Sequence, residues 1–508
     1  MNNKSEKKKI LLISVPFSAK GTGPVMENHG LCYLKACLCY NGFSVDMIDG
    51  NATEKPFYQC INELNLDDYF LMGFSVYSTN YYNTSKLIKA MRASGFTGHI
   101  TMGGHYPTFS WKTILEKNPA LDSIVLGEGE LILLEIAKAL ASSKKWRNIG
   151  GLACRIGDDL TLNPGVPLIN PLSFPFLPDR RSYGKLFKNQ NFATISSSRG
   201  CWGNCTFCSV RSFYKLAFGP CWRPRSPEEI VDELEYLYKE EGISNFAFCD
   251  DNFMGTGEEG RRRAVKVGEE ILRRSLDIAY AIDCRPDDVN KDLLKELQKS
   301  GLVKVNIGVE SFVERQLRLY SKTIPSERIE SALDILKELD FFIGIYTIFF
   351  DPSVTFEELS VNLNSALRIG PEYFPEFATF LQVFPGIPLY DKLKKENFLD
   401  THKILQTTEN EYWINYRFQN PGIEDFFILC LEFEVIMGKF LSSFTSNNSL
   451  MGERHYKLYS AMRELTCKNF LSLIEDIEVK KGNFSEFKRR YIEEWTGKAK
   501  KLIFHKDY

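Results

Sequence analysis

Phe192-Ala193-Thr194-Ile195-Ser196-Ser197-Ser198-Arg199-Gly200-Cys201-Trp202-Gly203-Asn204-Cys205-Thr206-Phe207-Cys208 reads as a short strand running straight into a loop that holds three cysteines, spaced by three and then two residues. Three thiolates on one tight loop can cap three irons of a cubic [4Fe-4S] cluster, which normally takes four cysteine ligands, so one iron is left open for a small molecule. Gly200 and Gly203 let the backbone wrap closely, and Trp202 and Phe207 limit water around such a group. The competing readings are a zinc site or coincidence. Zinc generally takes four nitrogen or sulfur ligands, no nearby CxxC or HxxxH completes such a set, and Cys221 stands at a distance unlike a zinc knuckle.

Working outward, short apolar runs alternate with helical patterns on both sides of this loop. C-terminal to Asn191, strands are expected near Phe192 to Ser197, Asn245 to Cys249, Asp277 to Cys284, Lys304 to Val309, Gly344 to Phe349 and Ala378 to Phe384, with helical stretches between them. Six βα units imply an incomplete barrel with its chemistry at the carboxyl ends of the strands. N-terminal to the loop, strands at Ile10 to Val15, Ser44 to Ile48, Tyr69 to Val76, His99 to Met102 and Ser123 to Leu126 alternate with helices at Gly30 to Tyr40, Tyr82 to Ala93 and Trp111 to Lys117, and Glu130 to Ser142 follows. This is the pattern of a small doubly wound, flavodoxin-like domain, whose ligands sit outside the carboxyl ends of its strands. The loops there are Asp49-Gly50-Asn51, Ser75-Val76-Tyr77-Ser78, Gly103-Gly104-His105-Tyr106-Pro107-Thr108 and Gly127-Glu128-Gly129-Glu130. Five prolines between Asn163 and Arg181 block regular helix and mark a linker or wrapping segment. The expected organisation is a first domain over 1–145, a linker over 146–190, the barrel over 191–398 and a mostly helical accessory region over 399–508. In that last region Tyr412, Trp413, Tyr416, Phe418, Phe426 and Phe427 suit helical core packing better than a pocket lining.

Composition narrows the function classes. The 508 residues carry 63 basic and 65 acidic side chains, a formal charge of -2, so no global field favours nucleic acid as a partner. Apolar residues at 44% and charged residues at 25% match an ordinary globular core rather than a disordered or fibrous chain. Thirteen cysteines thinly spread through so long a chain do not make a secreted disulfide scaffold, and the cytoplasm is the expected location. No apolar run is long enough to span a bilayer; even Ile428 to Phe440 carries Glu432, Glu434 and Lys439. The short run Ile10 to Val15 leads into Pro16 and reads as a buried first strand rather than a leader segment.

From Asn191 to Phe398 the chain resembles the radical SAM superfamily, whose signature is a CxxxCxxC loop after the first strand of a partial TIM-like (β/α)6 barrel. The resemblance implies that Cys201, Cys205 and Cys208 hold a [4Fe-4S] cluster and that S-adenosylmethionine chelates its open iron. It places Asp250 and Asp251 of Phe248-Cys249-Asp250-Asp251-Asn252-Phe253 at the methionine amino group, Arg285 at the methionine carboxylate and Glu310 of Ile307-Gly308-Val309-Glu310-Ser311 at the ribose hydroxyls. Phe350-Asp351-Pro352 and Phe384-Pro385-Gly386 look like the loops that close over cofactor and substrate. Taken singly, Asp250 and Asp251 could cap a helix, Glu310 could make an ion pair and Arg285 could clamp a linker.

The Rossmann-like first domain resembles that of the cobalamin (B12)-binding class of the superfamily, with Asn51, Ser75, Tyr77, Gly103, Gly104, His105, Gly127 and Glu128 on the loops that face the corrin there. One departure is plain: no DxHxxG histidine follows Asp49, so cobalamin would be bound without that lower ligand, and His105 is more in keeping with packing than with ligation. Cys32, Cys37 and Cys39 have helical spacing and read as core thiols, which argues against a methylthiotransferase with a second cluster. The implied activity is generation of a 5′-deoxyadenosyl radical and cobalamin-dependent C-methylation of an unactivated carbon in a small-molecule or peptide substrate, with flavodoxin or ferredoxin as electron donor. Rearrangement, cyclisation or epimerisation without methyl transfer, and a non-catalytic iron-sulfur sensor, are the alternatives.

Overall fold

The first strand, β1 (Lys9–Ser14), is apolar along almost its whole length and buried on both faces, as expected where helices cover both sides of a parallel sheet. In the computed structural model, which describes residues 9–16, 25–322, 324–400, 404–406, 411–413, 415–445, 453–480 and 484–504, two compact units are distinguished. The first holds 1–203, 209–282 and 296–302, the second 204–208, 283–295 and 303–508.

In the first unit β1 pairs in parallel with β2 (Val45–Asp49) on one side and β3 (Tyr69–Ser75) on the other, followed by β4 (His99–Gly103) and β5 (Ser123–Val125). Helices α1 (His29–Tyr40), Tyr81–Ala93, α2 (His105–Lys117) and α3 (Glu130–Ala141) lie between or after these strands. The strand order β2-β1-β3 reverses direction at β1, and the carboxyl ends beside that reversal form the crevice in which open α/β sheets bind ligands.

Two features depart from the sequence reading. A hairpin of β6 (Leu152–Ile156) and β7 (Asp159–Leu162), closed at Gly157, extends the sheet antiparallel from β5, so residues beyond the expected boundary at 145 belong to the first sheet and not to a linker. Helix α2 begins at His105 and not near Trp111. Pro107 sits in its first turn, where a missing N–H costs nothing, and the Thr108 amide donates to the Gly104 carbonyl at 3.1 Å. The proline-rich segment packs on the first unit: the Tyr183 hydroxyl donates to Asp49 at 2.8 Å, and Arg180 lies between Glu27 and Glu233, at 3.1 and 2.6 Å.

The first unit also contains β8 (Phe192–Ile195), β9 (Asn245–Phe248) and most of β10 (Ala279–Cys284), which run parallel with Phe192 opposite Asn245 and Asn245 opposite Ala279. The helix after β8, Pro227–Glu240, is started by a capping box between Ser226 and Glu229. In the second unit β11 (Leu302–Glu310), whose first residue still belongs to the first unit, pairs in parallel with β12 (Phe342–Thr347). The sixth strand expected over Ala378 to Phe384 is reduced to one parallel bridge between Phe350 and Phe380, where the Phe350 amide donates to the Thr379 carbonyl at 3.0 Å and the Leu381 amide to the Phe350 carbonyl at 2.8 Å. Farther on, the Val383 carbonyl accepts from the Asn415 side chain instead of a strand neighbour. Helices α4 (Ile423–Thr445), α5 (Glu453–Lys480) and α6 (Phe484–Phe504) make the helical C-terminal region. Tyr416, Phe426 and Phe427 are buried there with Phe350, consistent with core packing, while the side chains of Tyr412 and Trp413 lie outside the described residues. Among the described residues no helix is long and apolar enough to cross a membrane.

Candidate functional site

The carboxyl ends of β3, β4 and β5 open into a cavity of about 340 Å³ inside the first unit. Of the residues expected at a corrin-facing crevice, Ser75, Gly103, Gly104, His105, Gly127 and Glu128 line it; Asn51 and Tyr77 do not. The Asn51 amide donates to the Asp49 carboxylate at 3.2 Å and the Tyr77 amide donates to the Asn80 side chain at 2.8 Å. Gly104 has φ +111 and ψ -179, a conformation essentially reserved for glycine, and a Cβ there would stand 2.8 Å from the Val76 carbonyl oxygen. Gly104→Ala is therefore expected to destabilise the protein by about 1–3 kcal/mol, read as a lower midpoint in urea denaturation. Gly127 has φ +73 with open space where a Cβ would point, a cradle suited to a ligand that packs against backbone. Glycines 30, 73, 103, 104, 127 and 129 are all among the lining residues, so much of the cavity surface is backbone that a ligand can approach closely.

His105 stacks on Phe213 with ring centroids 4.0 Å apart and planes 6° apart, and its Nδ1 lies 3.4 Å from the Ser209 hydroxyl. Burial lowers its pKa to about 4, so the ring is neutral at physiological pH. Glu128 is an ionic clamp: its carboxylate meets Arg199 and Arg223, both at 2.8 Å, and accepts the Ile169 amide at 3.1 Å. Burial alone would raise its pKa, and the two guanidinium groups outweigh that and lower it.

The cysteine loop is shaped by its neighbours in each unit. Gly200, at φ +86, packs so closely on the Cys221 carbonyl oxygen that a Cβ would lie 1.6 Å from it. The Gly200 amide donates to Asp251 at 3.0 Å, and Asp251 also lines the cavity. Asp250 is buried, accepts from Ser197 and from the Ser198 hydroxyl at 2.6 Å, and has its pKa raised by burial. Both carboxylates thus brace the chain entering the loop. Within the first unit the Gly203 amide donates to Cys201 Sγ at 3.3 Å. Within the second, Arg285 Nη1 donates to Cys205 Sγ at 3.4 Å and its other end meets Asp287 at 3.0 Å, while Thr206 bonds backbone carbonyls at Leu319 and Tyr320. Cys201, Cys205 and Cys208 are partly exposed and none is in a disulfide. Thiolate is the donor type an iron-sulfur cluster takes, and among the described residues no three metal-ligating side chains are already gathered as they would be around a metal ion.

Glu310, at the end of β11, is one of the few non-glycine residues with positive φ, +69. Its carboxylate pairs with the buried Lys322 ammonium at 2.9 Å, and its carbonyl accepts the Ile348 amide at 2.6 Å. Strain of this kind concentrates where a side chain must be presented in one direction. Asp351 is consumed by Arg315, Gln316 and the Ser353 amide, and is a packing anchor of its loop. Sequence reasoning passes over two residues of the first-unit cavity, His29 and Cys249. A lone histidine at a helix start and a cysteine outside the triplet carry no local signature.

The same two regions are recognised when the chain is set against known proteins. A Radical SAM superfamily model matches residues 195–364 and a B12 binding domain model residues 21–137. The chain is 28% identical over 406 residues to an uncharacterised methyltransferase of Pyrococcus horikoshii, covering 77% of this chain and 84% of that one. It is 28% identical over 312 residues to the anaerobic magnesium-protoporphyrin IX monomethyl ester cyclase of Cereibacter sphaeroides, covering 58% of this chain and 48% of that one. Among solved structures it resembles the cobalamin-dependent S-adenosylmethionine radical enzyme OxsB with aqua-cobalamin and S-adenosylmethionine bound, with a TM-score of 0.80 at 19% identity over 98% of this chain and 80% of that one.

Proposed function

Because this chain belongs to the radical SAM superfamily and carries a B12-binding domain ahead of its radical SAM domain, we propose that it is a cobalamin-dependent enzyme that methylates an unactivated carbon of a small molecule or peptide. Its cofactors are a [4Fe-4S] cluster, S-adenosylmethionine and cobalamin. When bound, the cluster supplies the electron that opens a carbon-sulfur bond of S-adenosylmethionine, and the corrin carries the methyl group.

The rest of the work falls to this chain's own groups. Cys201, Cys205 and Cys208 hold the cluster, and Asp251 fixes the entry to their loop through the Gly200 amide. Asp250, tied to Ser197 and Ser198, keeps that strand end in register. Arg285 and Glu310 are the groups for the methionine carboxylate and the ribose hydroxyls, and Lys322 keeps the Glu310 carboxylate oriented. The glycine-lined cavity of the first unit takes the corrin, with His105 neutral and stacked rather than charged. A reduced flavodoxin or ferredoxin supplies the electron.

The observation that carries this reading is the cavity at the carboxyl ends of β3, β4 and β5, in a sheet whose residues match a B12 binding domain model. Relatives named as a methyltransferase and as a cyclase are both enzymes, which speaks against a non-catalytic sensor, and the cyclase keeps radical chemistry without methyl transfer as a second reading. The test is anaerobic incubation of the reconstituted protein with dithionite, S-adenosylmethionine and hydroxocobalamin. Methyl transfer is expected to yield S-adenosylhomocysteine together with 5′-deoxyadenosine. Formation of 5′-deoxyadenosine alone overturns the methylation reading in favour of the second.

A further inference from the structure

A second cavity of the first unit, of about 420 Å³, lies beside the start of the helix Pro227–Glu240 and the first turns of the helix Gly257–Arg273. It shares no lining residue with the glycine-lined cavity. Its charged lining is one-sided: Arg225, Arg262, Arg263 and Lys266 stand against Glu259 alone. In a chain whose formal charge is -2, that excess is local. Arg225 is already committed, since its guanidinium meets Glu233 at 2.5 Å and the Ser196 carbonyl at 2.8 Å. Arg262 and Lys266 are exposed, one helical turn apart, and neither makes an ion pair among the described residues.

Two further side chains of the wall carry donors without acceptors. Trp222 rests on Gly255, whose φ is +70 and where a Cβ would come within 2.1 Å of the indole ring. The indole Nε1 is buried with no hydrogen-bond partner. Arg263 is only 7% exposed; its Nη atoms donate to the Phe253 carbonyl at 3.0 Å and the Ser197 carbonyl at 2.9 Å, and its Nε has no partner. Burial draws the Arg263 pKa down to about 10, against the pull of Asp250, so this cation is only partly compensated where it sits.

We infer that this cavity binds a phosphate group, with Arg262 and Lys266 as its charge partners and with Trp222 and Arg263 as the lining side chains that still have an N–H to give. A dianion matches two uncommitted cations, where a carboxylate would leave one in excess, and the guanidinium fork suits phosphate oxygens. The capping box of Ser226 and Glu229 already occupies the start of the helix Pro227–Glu240, so side chains rather than a helix end make the site. Glu259 opposes an anion and sets the sign of one arm of the test. The cavity is larger than one phosphate, so the group arrives either as the free ion or as the end of a small organic ester. Neither the cluster, S-adenosylmethionine nor cobalamin uses these residues in the reading above.

The test is calorimetric titration of the full-length protein, its cluster reconstituted, with inorganic phosphate and separately with glycerol 3-phosphate, at neutral pH and low salt, with acetate as the control anion. Binding of one phosphate group per chain is expected, at least about tenfold tighter than acetate. The double variant R262Q/K266Q is expected to weaken it at least about tenfold, and E259Q to tighten it about two- to fivefold. All three positions are exposed, so iron and cobalt content should match the wild type in both variants. Tighter binding of glycerol 3-phosphate than of inorganic phosphate identifies an organic ester as the ligand, and equal or weaker binding identifies the free ion. No binding of either probe, or binding that R262Q/K266Q leaves unchanged, overturns the inference. If that variant binds phosphate normally but is reduced more slowly by flavodoxin, the two cations face an acidic protein instead.

Discussion

Replacing Cys201, Cys205 and Cys208 together by alanine is expected to remove the iron bound after reconstitution and to lower S-adenosylmethionine cleavage at least about a thousandfold, the equivalent of about 4 kcal/mol of activation free energy. The thermal midpoint of the protein without cofactors should stay within a few degrees of the wild type, because all three cysteines are partly exposed and none belongs to the apolar core. Gly200→Ala makes a sharper companion. All three sulfurs remain, but a Cβ 1.6 Å from the Cys221 carbonyl oxygen forces the loop out of the path that Asp251 holds. If the loop conformation presents the sulfurs, iron content measured by ferrozine falls in this variant too. Full iron loading in both variants would mean that the metal sits elsewhere.

How much of the molecule is legible in its sequence depends on the distance over which each feature is determined. The cysteine loop is local: spacing, flanking strand and two glycines lie close together along the chain, so its chemistry can be argued from the residues alone. The alternation of the first domain is equally readable, since β1 and β3 are buried almost throughout and largely apolar, while the edge strand β2 alternates buried and partly exposed positions. The sequence pattern starts helix α2 too late because Gly103-Gly104-His105-Tyr106-Pro107 carries turn residues; only the Gly104 conformation shows that the turn is a single residue and that Pro107 already lies in the first helical turn. The β6–β7 hairpin escapes the pattern because its strands are five and four residues long and partly polar. The conformation of Glu310 has no sequence signal, and neither has its ion pair with Lys322, which lies beyond a separate helix, Glu314–Leu319. His29 and Cys249 are far apart in the chain and share a cavity through tertiary structure alone.

At Glu128 the expectation from sequence and the observed structure differ most, and its substitution separates them. The sequence places it on a ligand-facing loop, whereas its carboxylate, with a side chain 8% exposed, sits between Arg199 and the fully buried Arg223. Glu128→Gln keeps the shape and removes the charge, leaving two guanidinium groups facing a neutral amide. Arg199 retains a carboxylate partner in Glu130 at 2.5 Å, but Arg223 is left with the Ile169 carbonyl at 2.7 Å, a dipole in place of a charge. Breaking one side of a buried ion pair costs about 3–5 kcal/mol, and that loss is expected in the protein without cofactors, measured by urea denaturation at pH 7. Its pH dependence has a definite sign. The folded-state pKa of Glu128 is lowered from the ordinary 4.5, with the two arginines outweighing burial, so its contribution is fully present above that value and is lost as the pH falls through the folded pKa. The stability gap between wild type and E128Q should therefore be constant from neutral pH down to about 5.5 and narrow below 4.5. A variant whose stability matches the wild type at pH 7 while its cobalt uptake falls would instead make Glu128 a ligand-facing group, and the two arginines would then be held by Glu130 and the Ile169 carbonyl without it.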